Sequence, residues 1–269
     1  MRSAVVKDFV ATGLSVATML DQRIVTAEES DIEVIPAGRD LEKTFLRAIT
    51  EFDFVLVIAP ECDGILQRCS QWLGGFDQKR LFPNHKFIEL CSNKTATLDL
   101  MGKKGVTTPA TVGAAVNRQV IKPNFGCGSE GIRVVDAGFD ISDYLDSAEW
   151  LVEPFVEGVP ASVSVIGGGQ PLILHPLRQV FDREPIGSFV EAVNDLSDRQ
   201  IELARDAAAK VCQALPTTNG YFGIDMVVDD QRATVIEVNP RLTDSYSTLR
   251  KIHDFNLAGK MIELLDYSA

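Results

Sequence analysis

Histidine, paired cysteine and long apolar runs are what this sequence of 269 residues has least of. Its three histidines, His85, His175 and His253, lie far apart and outside HExxH spacing, which disfavours a histidine-rich metal centre. Five cysteines, Cys62, Cys69, Cys91, Cys127 and Cys212, form an odd set without a CxxC pair. They read as free thiols of a reducing, cytoplasmic compartment rather than a disulfide framework or a zinc site. The longest charge-free apolar run of strand type, Phe54 to Ala59, is far too short to cross a bilayer, so no membrane partner is expected. Positive charge is also scarce, with 26 Lys and Arg against 38 Asp and Glu and a net charge of −12. Such a chain repels phosphate backbones at long range, so no nucleic-acid partner is expected. A small polyanion is still admissible where a few cations converge. Hydrophobic and charged fractions of 45% and 24% are those of an ordinary globular chain. The length suits one large domain or two or three subdomains.

What is there alternates helix and strand patterns. Val6, Phe9, Val10, Gly13, Leu14, Ala17 and Leu20 mark one face of an opening helix, and no A-x-A cleavage pattern supports a signal peptide. A short strand over Ile32–Ile35 follows, then a helical stripe (Leu41, Phe45, Ala48, Ile49, Phe52) and a buried strand over Phe54–Ile58. A second stripe (Ile65, Leu66, Cys69, Leu73) and a strand over Lys86–Leu90 complete a small α/β unit. Such a unit normally opens with a strand, and none precedes the first helix, so either the first strand is missing or the sheet is one strand short. Gly105–Pro109 reads as a loop. Strands are then expected over Gln119–Lys122, Ile132–Val135 and Trp150–Glu153, with a hairpin from Ala161–Ile166 to Leu172–Leu174. Ser197-Asp-Arg-Gln200 is a capping box opening a helix whose apolar face carries Ile201, Ala204, Ala208, Val211 and Leu215. Strands over Gly223–Val228 and Thr234–Val238 and a last helix with Leu257, Met261, Leu264 and Leu265 end the pattern.

Two local arrangements carry chemistry. Gly126-Cys-Gly-Ser-Glu-Gly131 matches GxGxxG, yet Ile132-Arg-Val-Val135 after it is strand-like. A dinucleotide fingerprint needs a helix there, and Walker A needs a GK[ST], so both fail. A glycine-rich turn between strands can still cradle an anion with backbone N–H groups, and Lys122 stands ready to add charge. The alternative is a solvated surface turn. Further on, Glu237 and Asn239 share one face of a strand. If Asp229 pairs with Ala233 around a three-residue loop, Asp225 falls opposite Glu237, with Cβ atoms about 4.5–5.5 Å apart. Facing carboxylates repel. A divalent cation resolves the conflict, and Asp, Glu and an amide oxygen form an oxygen set suited to Mg²⁺. Arg241 would point the same way. The alternative is a solvated sheet end, and a one-residue slip would separate the acids.

In order, Ser92-Asn-Lys94, Gly105–Pro109, Val120–Ser129, Leu151-Val-Glu-Pro-Phe-Val-Glu-Gly158, Gly223-Ile-Asp225 and Glu237-Val-Asn-Pro-Arg241 resemble the ATP-grasp superfamily of carboxylate–amine ligases. The resemblance spans roughly 86 to 250. It implies mixed α/β and α+β architecture, an ATP-grasp fold in which a small N-terminal α/β domain (1–92) precedes two α+β subdomains (93–158 and 159–269) that clasp ATP. It implies that Lys94 and Lys122 contact ATP phosphates and that the 124–131 loop, with Gly126, Gly128 and Ser129, closes over them. Glu153 and the Phe155 and Val156 backbone would hold adenine. Asp225, Glu237 and Asn239 would hold Mg²⁺, with Mn²⁺ as the alternative. Pro160 stands where D-alanine–D-alanine ligase-like members carry a ribose-binding Glu, and Glu157 is the substitute here. Within the superfamily, Ala59-Pro-Glu61, Ser162–Val165, His175-Pro-Leu-Arg-Gln179, Gly220–Asp225 and Glu237–Thr243 are similar to the tyramine–glutamate ligase group of methanofuran biosynthesis.

The reaction so implied is carboxylate attack on the ATP γ-phosphate, then displacement of phosphate by an amine. Arg241 is the candidate for stabilising the transferring group, and Arg178 is a second cation able to reach the γ-phosphate. The expected partners are small-molecule carboxylate and amine substrates, glutamate and tyramine if the subgroup holds, with a homo-oligomer left open. Thr243, Ser245 and Tyr246 are acceptor-pocket candidates or ordinary loop polar residues. Cys127 has no histidine near it in sequence and is not expected to be a nucleophile. The rivals are a ligase for other amino acids and a nucleotide-binding module without catalysis.

Overall fold

The structure is a computed structural model of the chain and describes all residues except 22, 24–31, 77–78, 112–116, 146, 184–186 and 266–269. The opening helix α1 (Arg2–Val10) is shorter than its apolar stripe suggests. The chain leaves it before Gly13, whose φ of +83° is left-handed, and Ala17–Asp21 forms strand β1. The expected helix through Leu20 is therefore wrong in its second half. Backbone pairing with the parallel strand β2 (Glu33–Ala37) holds residues 17–21 extended, against a spacing that also fitted a helix. Strand β1 is one that the sequence pattern did not reveal. Val5 of α1 packs far along the chain, in a core with Leu257, Ala258 and Met261.

Helix α2 (Leu41–Glu51) is capped by Asp40, whose carboxylate accepts from the Lys43 N–H at 3.0 Å. With α3 (Ile65–Trp72) it buries Phe45, Ile49, Leu66 and Leu73 around Val57 and Phe82. Among the described residues the run 54–58 makes a single parallel bridge, Val55 to Arg80, rather than a full strand. A second correction falls on Lys86–Leu90, which is part of helix α4 (His85–Ser92). Five apolar-rich residues have no diagnostic period, and the Asn84 side chain decides the matter by accepting from the Phe87 N–H at 3.0 Å. Helix α5 (Lys94–Lys103), which the sequence reading did not anticipate, follows at once, capped by Asn93.

Strands β3 (Arg118–Pro123), β4 (Arg133–Asp136) and β5 (Trp150–Pro154) form an antiparallel sheet in the order β4-β3-β5. A larger sheet follows from β6 (Val159–Gly167), β7 (Leu172–Ile173), β8 (Leu177–Phe181), β9 (Phe189–Val193), β10 (Gly220–Val228) and β11 (Ala233–Asn239). Its path is β11-β10-β6-β8-β9, with β7 paired to β6 in the expected hairpin. The capping box at Ser197 and Gln200 is formed and opens α6 (Asp198–Ala214).

Alternation sorts the two faces of the large sheet. Val163, Val165, Ile224, Met226 and Val235 bury one face against α4, α5 and α6, where Ala204 and Ala208 let the helix approach closely. Each such aliphatic side chain contributes about 1.5–3 kcal/mol over exposure. Gly220, at φ +75°, allows β10 to touch the segment before α4: a Cβ there would lie 2.3 Å from Phe82 Cα. The last helices, α7 (Tyr246–Ile252) and α8 (Leu257–Glu263), close a second core around Leu177, Tyr221 and Leu249.

Candidate active site

The opposite face of the large sheet looks across a cleft of about 1070 Å³ at the three-stranded sheet. β10 and β11 supply its acidic wall. Asp225 pairs with Glu237, as the sequence suggested, but by a different route. The turn is one residue out of the expected register, since Val228 rather than Asp229 faces Ala233. A β-bulge between Asp225 and Met226 restores the pair. Its effect is visible in the side chains: Val235 and Val238 enter the core, while the consecutive Ile236 and Glu237, and then Asn239, line the cleft.

These groups are tightly partnered. Asp225 accepts from Asn239 Nδ2 at 2.8 Å and from Gln179 Nε2 at 3.1 Å. Burial, and then the Glu237 charge, push its carboxyl up to about 6 despite the Asn239 bond. Glu237 is paired with Lys94 at 3.1 Å, and Lys94 also donates to the Gly126 carbonyl at 2.7 Å. Lys94 thus clamps the glycine loop to the acidic strand, and neither it nor Gly126 lines the cleft itself. Lys122 does line it. Its ammonium sits 2.6 Å from Glu153 and donates to the Ile236 carbonyl at 3.0 Å, so one buried cation joins the two sheets. Burial raises the Glu153 carboxyl while Lys122 lowers it, with burial prevailing. Its second oxygen, Oε2, is buried without a hydrogen-bond partner.

Gly128, Ser129, Glu153, Phe155, Val156, Glu157 and Arg178 all line the cleft, as does Pro160. The Phe155 N–H is already committed to the Arg118 carbonyl at 3.1 Å, and its ring lies 4.0 Å from the Arg118 guanidinium. Arg178 is paired with Asp195, its Nε donating at 2.8 Å. Thr243 and Ser245 reach the cleft, whereas Tyr246 is core, its hydroxyl donating to Asp8 at 2.8 Å. Two residues without an assigned role in the sequence reading matter here. Gln179 braces Asp225, and Glu61 accepts from Arg241 Nε at 2.6 Å. Both lie in segments with a quoted motif, His175–Gln179 and Ala59–Glu61, but nothing local signals a partner 46 or 180 residues away.

The residues present fit a divalent cation by their chemistry. Asp225, Glu237 and Asn239 offer oxygen donors, and a cation would relieve the repulsion that raises Asp225. Among the described residues no group of three His, Cys, Asp or Glu gathers for a metal, so the set here consists of two carboxylates and one amide.

Residues 91–245, more than half the chain, match the model of an ATP-grasp domain. The chain belongs to the ATP-grasp family. Residues 14–82 match a pre-ATP-grasp domain, which accounts for the α/β unit ahead of the clasp. Members of this family use ATP and a divalent metal. The chain is similar to proteins named tyramine–L-glutamate ligase. That of Methanocaldococcus jannaschii is 28% identical over 82% of this chain and 67% of its own length. That of Methanocaldococcus fervens is 30% identical over 74% of this chain and 62% of its own length. The chain thus spans about two thirds of these relatives. Among solved structures, an L-amino acid ligase from Bacillus licheniformis superposes with a TM-score of 0.73 at 16% identity, over 97% of this chain and 70% of that one. The expected fold and family are borne out. Among the described residues no helix is long and apolar enough to cross a membrane.

Proposed function

We propose that the protein is an ATP-dependent ligase that joins a carboxylate to an amine through an acyl phosphate. The observation that carries this reading is the gathering of Lys122, Glu153, Asp225, Glu237, Asn239 and Arg241 at one cleft between two sheets. The buried, unpartnered oxygen of Glu153 calls for an N–H donor, which the amino group of adenine provides beside Phe155 and Val156. Glu157 takes the ribose. Gly126, Gly128 and Ser129 bring backbone N–H groups over the phosphates, and Lys94 and Lys122 supply the adjacent positive charge. Asp225, Glu237 and Asn239 hold Mg²⁺ or Mn²⁺, which when bound supplies Lewis-acid neutralisation of phosphate charge.

Arg241, held by Glu61, presents its remaining N–H groups where charge develops on the transferring phosphoryl group. Arg178 is the second cation, and it must leave Asp195 to take part. The closed glycine loop excludes water so that the amine, not hydroxide, displaces phosphate. By analogy with the named relatives, the carboxylate is that of glutamate and the amine is tyramine. The small sheet with its loop and hinge (93–158) and the large sheet (159–269) act as the two jaws behind the N-terminal unit (1–92). Incubation with Mg-ATP, pooled amino acids and amines, followed by phosphate release and mass spectrometry of new amides, tests the proposal. A new amide whose formation consumes ATP supports it, and glutamyl-tyramine supports the finer assignment. Tight ATP binding with no acid- or amine-dependent turnover overturns it in favour of a binding module.

A further inference from the structure

We propose that Cys62 and Cys127 form a reversible disulfide that tethers the glycine loop, making this thiol pair an oxidation site. The two sulfurs lie 3.4 Å apart, although 65 residues separate them. Cys62 belongs to the turn that follows Glu61 in the N-terminal unit, and Cys127 sits in the middle of the glycine loop. Both are partly exposed, unlike the buried Cys69 and Cys91. The backbone on each side of the contact is unusual. Among the described residues only Asp63 and Ser129 are left-handed without being glycine, at φ 56° and 63°, and each lies within two positions of one of these thiols. Such conformations persist where surroundings over-determine them, here where two loops are held face to face. Glu61, the residue before Cys62, holds Arg241 at 2.6 Å, which places the pair at the edge of the site.

The chemistry is a two-electron oxidation by a peroxide. Cys62 sulfur attacks one peroxide oxygen, breaking the O–O bond and leaving a sulfenic acid and one water. Cys127 sulfur then attacks the sulfenic sulfur, the S–O bond breaks, and a second water departs. Two thiols and one hydrogen peroxide give one disulfide and two waters. A thiol reductant restores both thiols. Cys127 donates its proton toward Cys62, and burial raises the Cys127 thiol, so Cys62 attacks first.

A tether here removes freedom from a loop that opens for nucleotide to enter and leave, a consequence that rests on the nucleotide role proposed above. The full chain is treated with hydrogen peroxide and then examined by intact mass, peptide mapping and nucleotide dissociation rate. The expected result is loss of two hydrogens, a Cys62–Cys127 linked peptide, and ADP exchange slowed by at least about tenfold, all reversed by dithiothreitol. Cys62→Ser and Cys62→Ala are expected to exchange ADP normally when reduced and to keep that rate after peroxide. Absence of the linked peptide while other thiols oxidise overturns the proposal, as does a linked peptide without slower exchange. If the reduced protein binds no nucleotide at all, the functional reading falls while the linked peptide still decides the disulfide.

Discussion

The two walls of the cleft are built on opposite principles. The acidic wall is the back of a packed sheet: Ile224, Met226 and Val235 are fully buried on the helix side, so Asp225, Glu237 and Asn239 have little freedom on the other. The glycine wall is a turn between β3 and β4, anchored at its start by Asn124 and beyond it by Lys94 at Gly126 and by the contact of two thiols. Charge that must stay fixed is placed on strands, and the part that must admit a ligand is placed on backbone with few partners. Lys122 belongs to both, rooted in the small sheet and bonded to β11.

The strongest test of this contrast is Glu237→Gln. The isostere keeps an acceptor for Lys94 and leaves the core untouched, so the melting temperature is expected to stay within about 3 °C. Turnover is expected to fall by at least about a thousandfold, because the charge that holds the cation is gone. Steady-state phosphate release and circular dichroism measure the two, and near-normal turnover removes the metal assignment.

Lys122→Ala strikes where the walls meet, so it is expected to cost both binding and stability. Leaving Glu153 buried without its cation costs about 3 kcal/mol, read by urea unfolding. ATP affinity is expected to drop by about tenfold in a calorimetric titration. The stability loss has a sign with pH. Burial already raises Glu153 in the folded state, and removing Lys122 raises it further. The folded variant therefore binds a proton more tightly than its unfolded chain, so its deficit is full above the folded pKa and shrinks as pH falls through it. A deficit that grows on acidification contradicts the pairing. The smallest effect is expected for Ser129→Gly, which relieves a left-handed residue on the glycine wall. Stability is expected to rise by no more than about 1 kcal/mol, with the KM for ATP increasing only two- to threefold by rough expectation.

Much of the site was legible in the linear chain because strand alternation and loop context are local. Glu237 and Asn239 had to share a face, and the residues after Gly131 had to continue as a strand. The pairing of Asp225 with Glu237 was anticipated for an imperfect reason, since the turn is one residue out of the expected register and a bulge makes up the difference. Bulges are set by how two strands meet the core beneath them, and no window of sequence contains that. The misread segments, Lys86–Leu90 and Ala17–Leu20, are short apolar runs whose period is ambiguous.

By itself, the sequence determined which residue types stand at which steps along a strand, a glycine turn or a capped helix, for these depend on neighbours a few residues away. Only the tertiary structure decided that Glu61 orients Arg241, that Lys122 bridges two sheets, and that Cys62 meets Cys127. Each of these contacts joins segments that are distant in sequence, and only the packing of the sheets and their helices brings them within a bond's reach.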